Sequence, residues 1–114
     1  MKRDLVYLRH ILDAITKIES YVAAGKNVFM KTSYWQDAVV RQLEIIGEAT
    51  KRISKEIQSH HPDIPWRRIA GMRDVLIHDY MGVDLSTVWE VTQRDLPDLK
   101  TKIEAILTKM EAGG

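Results

Sequence analysis

The sequence predicts an all-α protein, an antiparallel bundle of four or five helices, and three observations carry that expectation. Apolar residues recur at three- and four-residue steps along most of the 114 residues. No segment of adequate length alternates with period two, and β-branched residues do not cluster as strands require. Gly25, Pro62, Pro65 and Gly82 fall between the periodic stretches and punctuate them.

The first stripe is Leu5, Leu8, Ile11, Leu12, Ile15, Ile18 and Val22, with Asp4 placed as an N-cap and Gly25 as a stop. A loop is expected through Lys26 to Thr32. Ser33-Tyr34-Trp35-Gln36 then has the spacing of a capping box and opens a long second helix, whose stripe is Trp35, Val39, Leu43, Ile46, Ile53 and Ile57 and which ends near His60-His61-Pro62. Pro65 suits the first turn of a third helix through Trp66, Ile69, Met72 and Leu76 toward Tyr80, with Gly71 as a point of bending and Gly82 as the stop. Asp84 caps a last stretch in which Leu85, Val88, Thr92, Leu99, Ile103, Ile106 and Met110 keep helical spacing. Pro97 either kinks that run or opens a fifth helix.

Composition narrows the function classes. The length fits one domain, residues 1–114, with a single ordinary core. There is no cysteine, which removes disulfides, thiolate nucleophiles and cysteine-based zinc sites. The amino end turns charged too soon for a signal peptide and no apolar run suits a bilayer, so a cytoplasmic protein without a membrane partner is expected. A formal net charge of +1 supplies no global pull toward nucleic acid, so RNA binding would depend on local patches.

One segment combines residues suited to phosphodiester chemistry: Met72-Arg73-Asp74-Val75-Leu76-Ile77-His78-Asp79-Tyr80. Arginine offers phosphate a fixed fork of donors, and histidine moves protons near neutral pH. A metal-independent ribonuclease needs a group to take the 2′-hydroxyl proton, another to protonate the leaving oxygen, and a cation for the charge that builds on phosphate. His78 and Arg73 match those needs. Asp74, one turn before His78, is placed to accept its other ring N–H and favour the imidazolium. On an ideal helix Arg73 and Tyr80 share a side, whereas His78 stands roughly 140° from Arg73. Either the last turn before Gly82 is irregular or a second copy presents its equivalent helix so that two Arg-His sets flank one cleft, and the two-fold arrangement doubles the positive charge facing a phosphate. By spacing alone, a solvated helix face explains the same residues.

Three blocks in order add to that spacing. Leu8-Arg9-His10-Ile11-Leu12-Asp13-Ala14-Ile15, the run Asp37 to Ala49 containing Ile45-Ile46-Gly47-Glu48-Ala49, and Pro65-Trp66-Arg67-Arg68-Ile69-Ala70-Gly71-Met72-Arg73-Asp74 leading into His78-Asp79-Tyr80 together resemble the HepT family, the minimal form of the HEPN superfamily, over nearly the whole chain. The resemblance implies a HEPN-like helical homodimer acting as a toxic ribonuclease, paired with an MntA-type nucleotidyltransferase as antitoxin. It maps the family's Arg-x4-6-His pattern onto Arg73 and His78, with Asp74 as the polar residue after the arginine. It also makes Tyr80 the residue to which the antitoxin transfers AMP from ATP. Phosphates attached there would put negative charge where RNA phosphate should bind. The alternative from another class is a non-catalytic helical module that docks a nucleotidyltransferase or binds a nucleotide.

Other candidates are weaker. Glu44 and Glu48, one turn apart, suit a solvated face or pairing with Arg41 or Arg52 better than a metal site. His60-His61-Pro62 reads as a loop end without partner ligands, and His10 as a flank residue that packs or meets solvent. Trp66 reads as a core anchor, whereas Arg67 and Arg68 are candidate RNA contacts by charge. No metal and no cofactor is expected.

Overall fold

The computed structural model describes the backbone of residues 2–78 and 84–113 and the side chains of residues 3–72 and 84–113. Helix α1 (Lys2–Tyr21) is followed by the short α2 (Lys26–Lys31), the long α3 (Ser33–Lys51), the short α4 (Lys55–His60) and α5 (Trp66–His78). After residue 83, α6 (Leu85–Glu90) runs through a π-helical segment (Val91–Asp95) into α7 (Leu96–Gly113). Among the described residues there is no strand, and the fold is the all-α bundle predicted.

Side-chain pairs define how the helices run. Asp4 at the start of α1 meets Ser54 just past α3, and Tyr21 at the end of α1 stacks at 5.7 Å on Trp35 at the start of α3, so these two are antiparallel. Arg9 pairs with Glu111 at 3.1 Å and Lys100 with Glu19 at 2.9 Å, which makes α7 antiparallel to α1. Arg68 meets Asp95 while Lys102 reaches back to the carbonyl of Asp63, so α5 opposes the α6–α7 arm. Helix α3 lies in the middle, packed by α1 and α5.

The predicted stripes are the core. Leu8, Ile11, Ile15 and Ile18 of α1 close against Val39, Leu43 and Ile46 of α3, and all are essentially inaccessible to solvent. Leu96, Leu99, Ile103, Ile106 and Leu107 bring α7 onto this seam. Burying one such side chain contributes roughly 1.5–3 kcal/mol, so the stripe accounts for the association of helices whose local propensities alone are marginal.

Several local expectations are corrected by longer-range contacts. Helix α1 begins before Asp4, and its buried carboxylate does not cap that helix; it accepts hydrogen bonds from the N–H and Oγ of Ser54, both at 2.8 Å. Ser54 in turn accepts from the N–H of Ile57 and caps α4, which is why the long second helix is broken at residues 52–54. The capping box does not form, since Thr32 occupies the N-cap position and Gln36 donates instead to the carbonyls of Phe29 and Met30. Those carbonyls end α2, a helix where a loop was expected, nucleated by burial of Phe29 and begun after Gly25 at φ +100°, a backbone region that favours glycine. Pro65 stands one position earlier than expected, its carbonyl accepting from the N–H of Ile69 as the N-cap of α5. Asp84 caps α6 as predicted, accepting from the N–H of Ser86 at 3.0 Å.

Pro97 stands in the first turn of α7, the second of the two places expected for it, and the π segment runs directly into that helix. Leu96 donates to the carbonyl of Val91, five residues back. A proline in a regular helix forfeits one backbone bond and presses its ring on the carbonyl four residues earlier, and the wider π turn absorbs both effects.

Candidate ribonuclease site

Helix α5 positions the Arg-His segment. Its first turn is anchored by Trp66, buried and donating its indole N–H to the carbonyl of His61 at 2.9 Å, and by buried Ile69. The tryptophan is therefore the core anchor expected, and His61 is the cap of α4 at a loop end. The backbone of α5 is α-helical through His78. Arg73, Asp74 and His78 thus share one regular helix, with Arg73 and His78 about 140° apart around its axis and Asp74 one turn from His78. The side chains of Arg73, Asp74 and His78, and the whole of Tyr80, lie outside the described residues.

Of the two candidate RNA contacts, Arg67 is exposed on α5. Arg68 is also on the surface, but its Nη2 stands 2.7 Å from Oδ2 of Asp95 and ties α5 to the π segment. Asp95 was not singled out from sequence, since a partner 27 residues away leaves no local pattern. Beside that pair, Pro65, Ile69, Met72, Leu96 and Leu99 line a small cavity of about 120 Å³ between α5 and α7.

A larger cleft of about 460 Å³ opens between α1 and α3, lined by Tyr7, His10, Arg41, Glu44, Ile45, Glu48, Ala49 and Arg52. Here the two glutamates meet cations, Glu44 with Arg41 at 3.5 Å and Glu48 with Lys51 at 3.8 Å, and His10 packs edge-on against Tyr7 at 5.8 Å. Two arginines against two glutamates leave this cleft close to neutral. Among the described residues no three histidine, aspartate or glutamate side chains gather to hold a metal ion, and no helix is long and apolar enough to cross a membrane.

Comparison with known proteins decides the family. The profile of the family described as ribonuclease HepT-like matches residues 11–106. The chain belongs to the HepT-like ribonuclease family. Among its relatives, a Methanocaldococcus jannaschii protein named as a gamma-glutamylcyclotransferase and, provisionally, an RNase is 42% identical over 97% of this chain. This chain spans about half (51%) of that protein's length. A Caldanaerobacter subterraneus protein provisionally named an RNase is 42% identical over 96% of this chain and 98% of its own length. A Thermococcus cleftensis protein named probable ribonuclease HepT is 45% identical over 88% of this chain and 92% of its own length. No solved structure matches the chain. The HepT-like match includes α5 in full, so the Arg-His helix lies inside the family's shared region.

Proposed function

We propose that this chain is a metal-independent endoribonuclease, a single HepT-like domain over residues 1–114 that serves as the toxin of a toxin–antitoxin pair. The observation that carries the reading is the family match over residues 11–106, inside which Arg73 and His78 fall on one uninterrupted helix. In the proposed reaction His78 moves the proton of the 2′-hydroxyl or of the leaving oxygen, Arg73 balances the charge that builds on phosphate, and Asp74 orients the imidazole. Arg67 would hold RNA backbone beside them, and Arg68 would do so with its guanidinium shared with Asp95.

Regular helical geometry to His78 supports a homodimer. One copy separates Arg73 from His78 around α5, whereas a two-fold pair of α5 helices lets the arginine of each copy face the histidine of the other across one RNA cleft. Two histidines in one cleft would also supply a base and an acid together. The proposed antitoxin is an MntA-type nucleotidyltransferase that silences the enzyme by transferring AMP from ATP to Tyr80, adding negative charge beside the arginines.

The test is cleavage of a broad RNA pool by the purified chain in EDTA, with Arg73→Ala and His78→Ala variants of matched circular dichroism. Loss of roughly 10²–10⁴-fold in rate in both variants is expected. Absence of cleavage by the parent chain on such a pool would reject the enzyme in favour of a module that docks the nucleotidyltransferase. For the regulatory half, incubation with the nucleotidyltransferase and labelled ATP should mark the parent and leave Tyr80→Phe unlabelled.

A further inference from the structure

Between the start of α2 and the junction of α6 with the π segment lies a separate cleft of about 400 Å³, lined by Lys26, Trp89, Glu90, Gln93 and Arg94. Its wall is an indole held from behind: Trp89 is half-buried and meets the buried ring of Phe29 at 5.5 Å and 40°. The aromatic surface is therefore ordered before anything binds, which lowers the entropy a ligand must offset. Cations outnumber carboxylates here. Arg94 stands 3.5 Å from Glu90 in a solvent-exposed pair, and among the described residues no carboxylate lies within ion-pair distance of Lys26. Gln93 adds an amide able both to donate and to accept, and among the described residues its side chain makes one long 3.3 Å bond, donated to Oγ1 of Thr92.

The backbone singles out the same place. Gln93 and Arg94 are carried by the π segment, and Trp89 and Glu90 stand immediately before it. Such insertions cost helical hydrogen bonding and recur at functional sites, where they redirect side chains. Trp89 also follows His78 by eleven residues, so the helix that bears it comes next in the chain after the Arg-His helix.

We propose that this cleft is a subsite for single-stranded RNA, with a base against the Trp89 indole, adjoining phosphates on Lys26 and Arg94, and the Gln93 amide at a base edge. An indole with flanking cations suits a single strand, because every unpaired base offers a stacking face while a duplex hides its own. The volume falls in the ~300–1,000 Å³ range of small-ligand sites, which suits individual nucleotides and not a double helix. The proposal rests on the ribonuclease reading and extends it from cleavage to strand capture.

Binding of a fluorescein-labelled, mixed-sequence single-stranded RNA is measured by anisotropy at several salt concentrations. The background is His78→Ala, so that binding is read without cutting. Adding Lys26→Gln and Arg94→Gln together is expected to weaken binding about 10-fold and to lower the slope of log affinity against log salt by about 1.4, the loss of two phosphate contacts on a single strand. Their melting temperature should stay that of the background chain. Trp89→Leu, where it folds, should weaken binding about 10-fold with the salt slope unchanged. Equal affinity and equal slope in the double glutamine variant would overturn the subsite and leave the ribonuclease reading standing. No RNA binding by any of these chains, with no cleavage by the parent, would bring down both.

Discussion

The seam between α1 and α3 and the joint between α5 and the α6–α7 arm hold the molecule together by different physics. At the seam, Leu8, Ile11, Ile15 and Ile18 meet Val39, Leu43 and Ile46 with essentially no solvent access. At the joint, the described contacts include the Arg68–Asp95 ion pair, Lys102 reaching the carbonyl of Asp63, and a cavity of about 120 Å³ between half-buried Met72 and the start of α7. Dry aliphatic packing resists change, while an exposed ion pair is worth little and is screened by salt. The helix that carries Arg73 and His78 is thus mounted on a stiff frame through α3, and it meets the opposite arm through an exposed ion pair beside a small cavity lined by Ile69, Met72, Leu96 and Leu99.

The contrast is broken most directly in the seam. Ile46→Ala should destabilise the fold by about 2–5 kcal/mol in urea unfolding, since the buried position cannot collapse around the missing carbons. A cost below 1 kcal/mol would show that the frame is no stiffer than the joint. Next comes Asp4→Ala, expected to cost about 1–3 kcal/mol because the N–H of Ser54 loses its acceptor and the start of α4 loses its brace. Asp95→Ala at the joint should cost no more than about 1 kcal/mol of stability, with the difference from parent fading in high salt.

Gly71 probes the open side of α5. A Cβ there meets nothing within 4 Å, so Gly71→Ala should raise stability by about 0.4–1 kcal/mol through the unfolded chain. A fall in melting temperature, lost on dilution to monomer, would mean that a second copy packs closely at this point.

The smallest effect belongs to the frame's outer surface, where Lys100 donates to Glu19 across α1 and α7. That hydrogen bond, reinforced by the negative charges of Glu19 and Glu104 and opposed by desolvation, holds the lysine above its ordinary pKa. A raised folded-state value means that its contribution is fully present below the unfolded pKa and is lost as pH climbs through the folded one. Lys100→Met should therefore differ slightly from parent in melting at neutral pH and converge with it in strongly alkaline buffer.

The legible part of the site was the part written in one stretch of chain. Arg73, Asp74 and His78 stand on one helix because Trp66, Ile69 and Met72 repeat at helical spacing, and the order of the three family blocks could be read without coordinates. Asp95 as the partner of Arg68, and the meeting of Lys26 with Trp89 and Arg94, could not be read, for each joins residues far apart in sequence and neither leaves a local pattern.

By itself the sequence determined the helical stripes, the glycine between the first two helices, the Asp84 cap and the spacing of Arg73 and His78, because each depends on a few neighbouring residues and a 3.6-residue period. Only the tertiary structure decided which local options were used. Asp4 and Gln36 had capping roles available nearby, yet Asp4 serves Ser54, fifty residues on, and Gln36 serves the carbonyls that end α2. The same competition broke the second helix at Ser54 and let a π turn carry the last one past Pro97. A buried backbone group must find a partner wherever the packed chain offers one, and a hydrogen bond that is sheltered by packing outweighs an equivalent one in water.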